Sequence, residues 1–166
     1  MLKIDRQAIN PLKGKIYSVV IISLIAAHAV SAQTVTATND LVFGNIFPGV
    51  PKAIAKNAAG DAAEFTVTGT AGAEVTLDFA LPSYMYTTGA NMPLFFSSND
   101  CAVDSTNPPD QSSPSADNLN PNGTITYRIG SNGLSVWLGG RVVPGLVQKS
   151  GAYTATIRLT VAYTGL

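Results

Sequence analysis

The chain has 166 residues, of which 46% are hydrophobic and only 12% are charged, and ten basic residues balance ten acidic ones. This length is typical of one domain, and the low charge excludes a charged disordered tail as the main feature. The balanced charge also argues against nucleic-acid binding, which needs a basic face. Fifteen glycines and ten prolines with so few charges favour a turn-rich, all-β chain.

Residues 1–32 have the three parts of a secretory signal peptide. Four basic residues precede a continuous run of apolar or small residues, Ile16–Ala27. Val30–Ala32 then supplies the small residues of a cleavage site. The apolar run is shorter than the roughly 20 residues that a membrane-spanning helix needs, so we favour a cleaved leader over a membrane anchor. We therefore expect an exported protein of the periplasm, cell surface or medium, whose mature domain spans residues 33–166.

Cleavage after Ala32 leaves 134 residues with six basic and nine acidic side chains, a net charge of −3. The only histidine, His28, is removed with the leader, so the mature chain lacks the usual base of hydrolytic triads and a common zinc ligand. We predict no enzymatic activity, no cofactor and no metal. The single cysteine, Cys101, excludes an intrachain disulfide, and we favour a buried, inert thiol over one that cross-links two chains.

Alternation of apolar and polar residues predicts about seven short strands. Near the N-terminus, one face is shared by Val35, Ala37, Asn39, Leu41 and Phe43. The later runs are Phe65–Gly69, Val75–Ala80, Leu94–Phe96, Ile125–Ile129, Leu134–Leu138 and, the longest, Ala152–Tyr163. Turns rich in glycine separate the runs, and no amphipathic helix of useful length is predicted. This number and spacing of strands predicts an immunoglobulin-like β-sandwich of two sheets.

Two stretches interrupt the alternation. Ile46–Pro51 contains two prolines and cannot be a central strand, because proline lacks the N–H group that a ladder needs. Asp104–Gly123 is rich in Pro, Ser, Asn and Asp and predicts a long surface loop. Its acidic residues leave calcium binding open, but the spacing of an EF-hand is absent and acidic loops are usually just solvated.

The terminal run Ala152–Tyr163 carries the functional argument. Its apolar face holds Tyr153, Ala155, Ile157, Leu159, Val161 and Tyr163, and its other face carries a single charge, Arg158. A long strand of this kind at the edge of a sheet would pair with another chain unless a strand covers it. The segment Gln33–Phe43, from the same chain or from a neighbour, is the best candidate for that strand.

Four segments occur in a fixed order: Leu41–Ile46, Ala63–Gly69, Leu138–Gly140 and Gly151–Tyr163. Together they resemble the bacterial secreted family catalogued as domain of unknown function 4402 and, more loosely, spore coat protein U-type and archaic chaperone–usher pilins. The resemblance covers nearly all of the mature chain. It implies a pilin-like sandwich exported to the periplasm of a Gram-negative bacterium. In such pilins one strand is missing, and the N-terminal segment of the next subunit fills the groove.

The resemblance also implies which residues meet, by β-augmentation. The donated strand would present Val35, Ala37, Asn39 and Leu41, and part of the groove would be lined by Tyr153, Ile157, Leu159 and Val161. The implied partners are neighbouring subunits and a periplasmic chaperone and usher. The chain departs from the pilin pattern because it cannot form the disulfide that many pilins carry. Moreover, only 11 mature residues precede Gly44, so the N-terminal strand has the alternative of completing its own domain.

These observations predict a non-enzymatic structural subunit of a fimbria-like or other extracellular surface assembly. The alternative is a self-contained secreted binding or adhesion module. Such a module would use the Asp104–Gly123 loop and the aromatic residues Tyr84 and Tyr86. Trp137 is a third candidate for a carbohydrate-stacking surface, although a core position is the more common place for such a residue.

Overall fold

The computed structural model describes residues 33–165, and the predicted leader, residues 1–32, lies outside them. The described part is all-β, with twelve strands and no helix, and accordingly no helix there is long and apolar enough to cross a membrane. The strands are β1 (Thr34–Asn39), β2 (Lys52–Ile54), β3 (Ala63–Thr68), β4 (Glu74–Ala80), β5 (Tyr84–Thr87), β6 (Ala90–Phe95), β7 (Cys101–Asp104), β8 (Ala116–Leu119), β9 (Ile125–Arg128), β10 (Leu134–Leu138), β11 (Gly140–Val142) and β12 (Arg158–Tyr163).

The strands form three antiparallel sheets. The five-stranded sheet has the order β1-β3-β10-β7-β8, the four-stranded sheet β2-β11-β6-β5, and the three-stranded sheet β12-β4-β9. The two terminal strands of the chain are therefore both edge strands: β1 pairs with β3, and β12 pairs with β4. Consecutive strands of the chain often belong to different sheets, so most of the pairing is between segments that are distant in sequence.

The predicted twelve-residue strand Ala152–Tyr163 is too long. Regular pairing covers only Arg158–Tyr163, whose register with β4 places Leu159 opposite Phe79 and Val161 opposite Leu77. Residue Thr154 instead forms an isolated antiparallel bridge with Tyr86 of β5. One continuous stretch of chain thus runs first beside the four-stranded sheet and then beside the three-stranded sheet. The alternation extends across a change of partner, which a pattern of side chains alone does not reveal.

The main hydrophobic core lies between the five-stranded and three-stranded sheets. Its centre is fully buried and includes Val67, Leu77, Val103 and Val136, from four different strands. A second cluster packs beneath the four-stranded sheet, and Leu41 contacts both clusters. The only tryptophan, Trp137, is 3% exposed and belongs to the interior, so it does not contribute to a sugar-binding surface.

Each of the seven predicted runs overlaps an observed strand, but the structure adds five strands that alternation did not reveal. These are β2, β5, β7, β8 and β11. β7 is buried at every position and so shows no alternation. β2 and β11 have only three residues each, too few to set a period. β8 lies inside the predicted loop Asp104–Gly123, which is therefore only partly irregular.

Candidate functional site: a groove between the two ends of the described chain

The first wall of the groove is β1. Its residues Val35 and Ala37 lie opposite Val67 and Phe65 of β3, whose side chains are buried in the main core. Residues that are opposite one another in a sheet point to the same face, so Val35 and Ala37 face the interior side. Val35 is nevertheless 37% exposed, and Ala37 is exposed. The interior face of β1 is thus left without a covering strand.

β1 is also shorter than predicted. The strand ends at Asn39, and its register with β3 shifts between Ala37 and Asn39. The Asn39 side chain donates a hydrogen bond of 2.6 Å to the carbonyl of Ala62, which holds the chain where the ladder stops. Beyond it Leu41 is half-buried and Phe43 is 4% exposed, so the chain turns inward after the strand.

The second wall is the segment 152–157, which precedes β12. Thr154 exchanges two backbone hydrogen bonds with Tyr86, one of 3.0 Å from its own N–H and one of 2.8 Å to its carbonyl. Successive residues of an extended chain direct these groups to opposite edges. The neighbours Tyr153 and Ala155 therefore turn their backbone groups away from β5 and towards the groove, which both residues line.

Between these walls lies an open groove of about 1000 Å³. Its floor is apolar, because the buried side chains of Phe43, Ala63, Phe65 and Met92 reach it from beneath both walls. Five of the eight residues that the sequence analysis assigned to a partner contact line this groove. They are Ala37, Asn39 and Leu41 on the first wall, and Tyr153 and Ile157 on the second.

The other three predicted residues have different surroundings. Val161 is 7% exposed and belongs to the main core, and Leu159 packs against that core from a half-buried position. Both lie on β12, which has β4 as its partner. Val35 lies further along β1 and is not part of the groove lining.

The groove is closed at one end and open at the other. At the closed end, the side-chain amide of Gln33 donates a hydrogen bond to the carbonyl of Val161. Since Gln33 lies beside Val161 while Leu41 shares the groove with Tyr153, the two walls run in opposite directions. The groove between them, of about 1000 Å³, leaves room for an extended segment.

Two loops border the open end, and the sequence analysis did not assign them to the site. The N–H of Gly49 donates a 3.0 Å hydrogen bond to the carbonyl of Gly145, which ties one loop to the other. Phe47 on the first loop is 69% exposed and Leu146 on the second is 86% exposed. In the sequence, this border corresponds to the apolar run Ile46–Pro51, which contains two prolines. That run was interpreted only as an interruption of the strand pattern.

A hydrogen-bonded tyrosine shapes the second wall. The Tyr153 hydroxyl accepts a 2.6 Å hydrogen bond from the Gln148 side chain and donates one of 2.7 Å to the carbonyl of Lys149. Gln148 in turn donates to the carbonyl of Asn91 at 2.9 Å, on the neighbouring β6. These bonds fix the segment before β12 on the four-stranded sheet, so this wall is held in place without a strand ladder.

The loop Asp104–Gly123, for which calcium binding was left as an alternative, is organised around one buried carboxylate. Asp104 is 1% exposed and accepts hydrogen bonds from the Ser115 hydroxyl, the Asp110 N–H at 2.7 Å, and both the hydroxyl and N–H of Thr106 at 2.7 and 3.0 Å. Burial acts to raise the pKa of Asp104, but these hydrogen bonds outweigh it and hold the pKa well below its ordinary value.

The neighbouring acidic residues are also used locally. Asp110 accepts from the N–H of Ser112 at 2.9 Å, and Asp117 forms an ion pair of 3.0 Å with Lys56. Within residues 33–165, no group of three or more His, Cys, Asp or Glu side chains could hold a metal ion. The described geometry thus gives these acids a role in holding the loop together.

Cys101 is fully buried on β7, and desolvation raises the pKa of its thiol to about 12, against a smaller opposing effect of Lys56. A thiol in this state is a poor nucleophile, because the thiolate is the reactive form. The geometry therefore agrees with the preferred interpretation of this cysteine as inert, and a cross-link through it would require the sheet to open.

These features define a class of protein: an all-β domain of antiparallel sheets with an apolar groove between two edge segments. A comparison with family models matches residues 33–163 to the family described as Domain of unknown function (DUF4402), and the chain belongs to that family. A search of curated proteins found no match.

Proposed function

We propose that the mature chain is a non-enzymatic structural subunit of a fimbria-like or other extracellular surface assembly. Neighbouring copies are joined by donor-strand complementation, in which an extended segment of one copy occupies the groove of the next. The observation that carries this proposal is the groove between β1 and the segment 152–157, at which Ala37 and Ala155 are exposed and the outer edge of β1 is unpaired. An exposed edge of this kind is a ready template for pairing with another chain.

We also propose that the three sheets are arranged as a sandwich of two layers. The stretch from Thr154 to Tyr163 connects the four-stranded and three-stranded sheets along one line, and the five-stranded sheet packs against the three-stranded sheet through the main core. This arrangement supports an immunoglobulin-like, pilin-like sandwich of two layers. The similarity to spore coat protein U-type and archaic chaperone–usher pilins is part of the proposal too.

The groove has the dimensions of one short strand. The part of β1 that lines the groove, residues 37–39, corresponds to about 10 Å of extended chain, since a strand rises by about 3.4 Å per residue, and the lining continues from there to Leu41. A donor with apolar residues at every second position would place them on the floor formed by Phe65 and Met92. The segment Gln33–Leu41 has this period, with Val35, Ala37, Asn39 and Leu41 on one face, so a second copy can supply it once its own β1 has left β3.

Export and assembly partners complete the proposal. The leader at residues 1–32 would direct the chain out of the cytoplasm, and the mature chain would start at Gln33. Before assembly, a periplasmic chaperone would cover the groove with a strand of its own, and an usher would exchange it for the donor of the next subunit. The absence of histidine from residues 33–166 supports a role without catalysis.

The experiment introduces a charge into the groove of the full mature protein. Ile157→Arg places a guanidinium on the second wall of the groove, and Thr156→Arg, one residue away with its exposed side chain on the opposite face, is the matched control. Polymers are measured by size-exclusion chromatography with light scattering and by negative-stain microscopy. We expect polymers from the wild type and from Thr156→Arg, and a folded monomer from Ile157→Arg.

A synthetic peptide of residues 33–43 provides a second measurement. It should bind the Ile157→Arg protein much more weakly than the Thr156→Arg protein, because burying an unpaired charge on an apolar surface is costly. A wild-type protein that remains monomeric at all concentrations and does not bind this peptide would contradict the proposal.

One observation favours a second candidate, a self-contained secreted binding or adhesion module. β1 is already paired with β3 of its own chain and is not free for donation. The surfaces that this module was predicted to use are separate, however. The loop side chain of Gln111 contacts Lys56 just after β2, whereas Tyr84 and Tyr86 lie on β5 at the opposite edge of the four-stranded sheet. A persistent monomer in the experiment above would favour this module.

A further inference from the structure

The outer face of the four-stranded sheet carries a row of exposed aromatic side chains. Its inner face is buried in the second core through Ile54, Met92, Leu94 and Val142. Because side chains alternate along each strand, the residues between these point outward. Tyr84 is 40% exposed, Tyr86 56% and Phe95 55%. Three large aromatic rings thus stand on one solvent-facing surface, unrelated to the groove.

The strand register brings these rings and one cation together. Arg141 of β11 lies directly opposite Phe95 of β6, and Tyr84 of β5 lies directly opposite Pro93, two residues from Phe95. The rings of Tyr84 and Tyr86 have centroids 6.3 Å apart with an angle of 51° between their planes. The resulting surface, which we call the aromatic face, comprises Tyr84, Tyr86, Phe95 and Arg141, with Asn91, Pro93 and Thr154 at its border.

The aromatic face carries positive charge only. Arg141 is exposed and forms no ion pair with any residue of the described range 33–165. None of the other residues of the aromatic face carries a charge, whereas the mature chain as a whole is acidic. A guanidinium beside aromatic rings is suited to a carboxylate, with which it can form two parallel hydrogen bonds.

The dimensions of the aromatic face suit a small ligand. Its backbone positions span three strands about 4.8 Å apart and a length of about 14 Å along them, roughly 140 Å² in all. A stable protein interface, or a dimer through this face, would have to extend well beyond these residues, since it buries about 800 Å² of accessible surface on each side. An area of this size corresponds to two or three sugar rings, whose apolar faces can stack on aromatic side chains while their hydroxyl groups stay in water.

We infer that the aromatic face binds an acidic glycan, with pyranose rings stacked on Tyr84, Tyr86 and Phe95 and a sugar carboxylate paired with Arg141. Asn91 and Thr154 at the border supply hydrogen-bonding groups for hydroxyls. This inference does not depend on the proposed assembly, since a monomer and a polymer would both expose the face.

The test is a titration of the mature protein with trigalacturonate, followed by nuclear magnetic resonance, with the neutral galactotriose as the matched sugar. We expect shifts confined to the aromatic face, and about tenfold weaker binding of the neutral sugar, since a hydrogen-bonded charge pair contributes about that much. Arg141→Gln should make the two sugars bind equally. Tyr86→Ala should weaken both, and Arg158→Gln, an exposed arginine of another sheet, should change neither.

Three outcomes would overturn the inference. One is no shift with either sugar up to about 10 mM, a concentration about ten times a dissociation constant of about 1 mM. Another is binding by Arg141→Gln that keeps the wild-type preference for the acid. The third is a concentration-dependent change on the aromatic face without sugar, which would assign it to a second copy of the chain. All the substituted residues are exposed, so each variant is expected to fold.

Discussion

At the scale of single residues, Asp104 shows how a buried charge organises a loop. Its two carboxylate oxygens accept four hydrogen bonds from residues within eleven positions along the chain. These hydrogen bonds therefore hold the loop against the end of β7. A surface loop rich in proline and serine becomes ordered here because one anion satisfies several donors at once.

Asp104→Asn should therefore destabilise the protein by about 1–3 kcal/mol, because the amide nitrogen cannot accept and leaves a buried donor unpaired. Urea unfolding at neutral pH measures this loss, with Asp61→Asn, an exposed aspartate in another loop, as the control. An unchanged midpoint for Asp104→Asn would show that these hydrogen bonds do not hold the loop.

The same variant predicts a change with pH. The pKa of Asp104 is lowered in the folded protein, so its carboxylate stabilises the fold above the unfolded pKa of about 4, and that contribution is lost as the pH falls below it. The wild type should therefore lose its advantage over Asp104→Asn between about pH 4 and pH 2. A difference that stays constant over that range would contradict this assignment.

At the scale of elements, side-chain alternation predicted which face of a strand is buried better than it predicted which strand lies beside it. It placed Leu159 and Val161 on the inward face of the terminal strand, and both do pack on the main core. It did not reveal that β4 is their neighbour, because an apolar stripe fits any partner with a matching face. Pairing is decided by non-local packing, so β1 lies against β3, while the groove remains between β1 and the segment before β12.

The alternation of inward and outward side chains along β12 gives a direct prediction. Val161→Ala should lower the free energy of unfolding by about 2 kcal/mol, because it removes two buried carbon atoms and leaves a small cavity beside Leu77. Thr160→Ala, on the exposed face one residue earlier, should cost less than about 1 kcal/mol. Chemical denaturation of both variants measures the two losses. Equal losses would mean that the strand does not present alternating faces to core and solvent.

At the scale of the whole molecule, the arrangement of the candidate site could not be predicted from the sequence. The family resemblance assigned Ala37 and Leu41 to a donated strand and Tyr153 and Ile157 to the groove, whereas the fold brings all four into the lining of one groove. The border of the groove at Phe47 was missed. Irregular loops have no period that a sequence pattern could show, and these two loops are joined by a backbone hydrogen bond between Gly49 and Gly145.

The closed end of the groove decides how a donor strand can enter. A donor that runs in the direction of β1 would lie antiparallel to the segment 152–157. Since Gln33 blocks a tight hairpin beside Val161, we predict that a second copy of residues 33–43, appended to the C-terminus through a flexible linker of about 12 residues, reaches past that end and folds into the groove of its own chain.

Such a chain should remain monomeric under conditions in which the wild type forms polymers, and its melting temperature should be higher by several degrees, because the donor buries the apolar floor. Light scattering and calorimetry measure the two effects. The matched control carries Ala37→Asp and Leu41→Asp in the appended copy alone, where buried charges prevent insertion. If both chains polymerise as the wild type does, assembly uses a surface other than the groove.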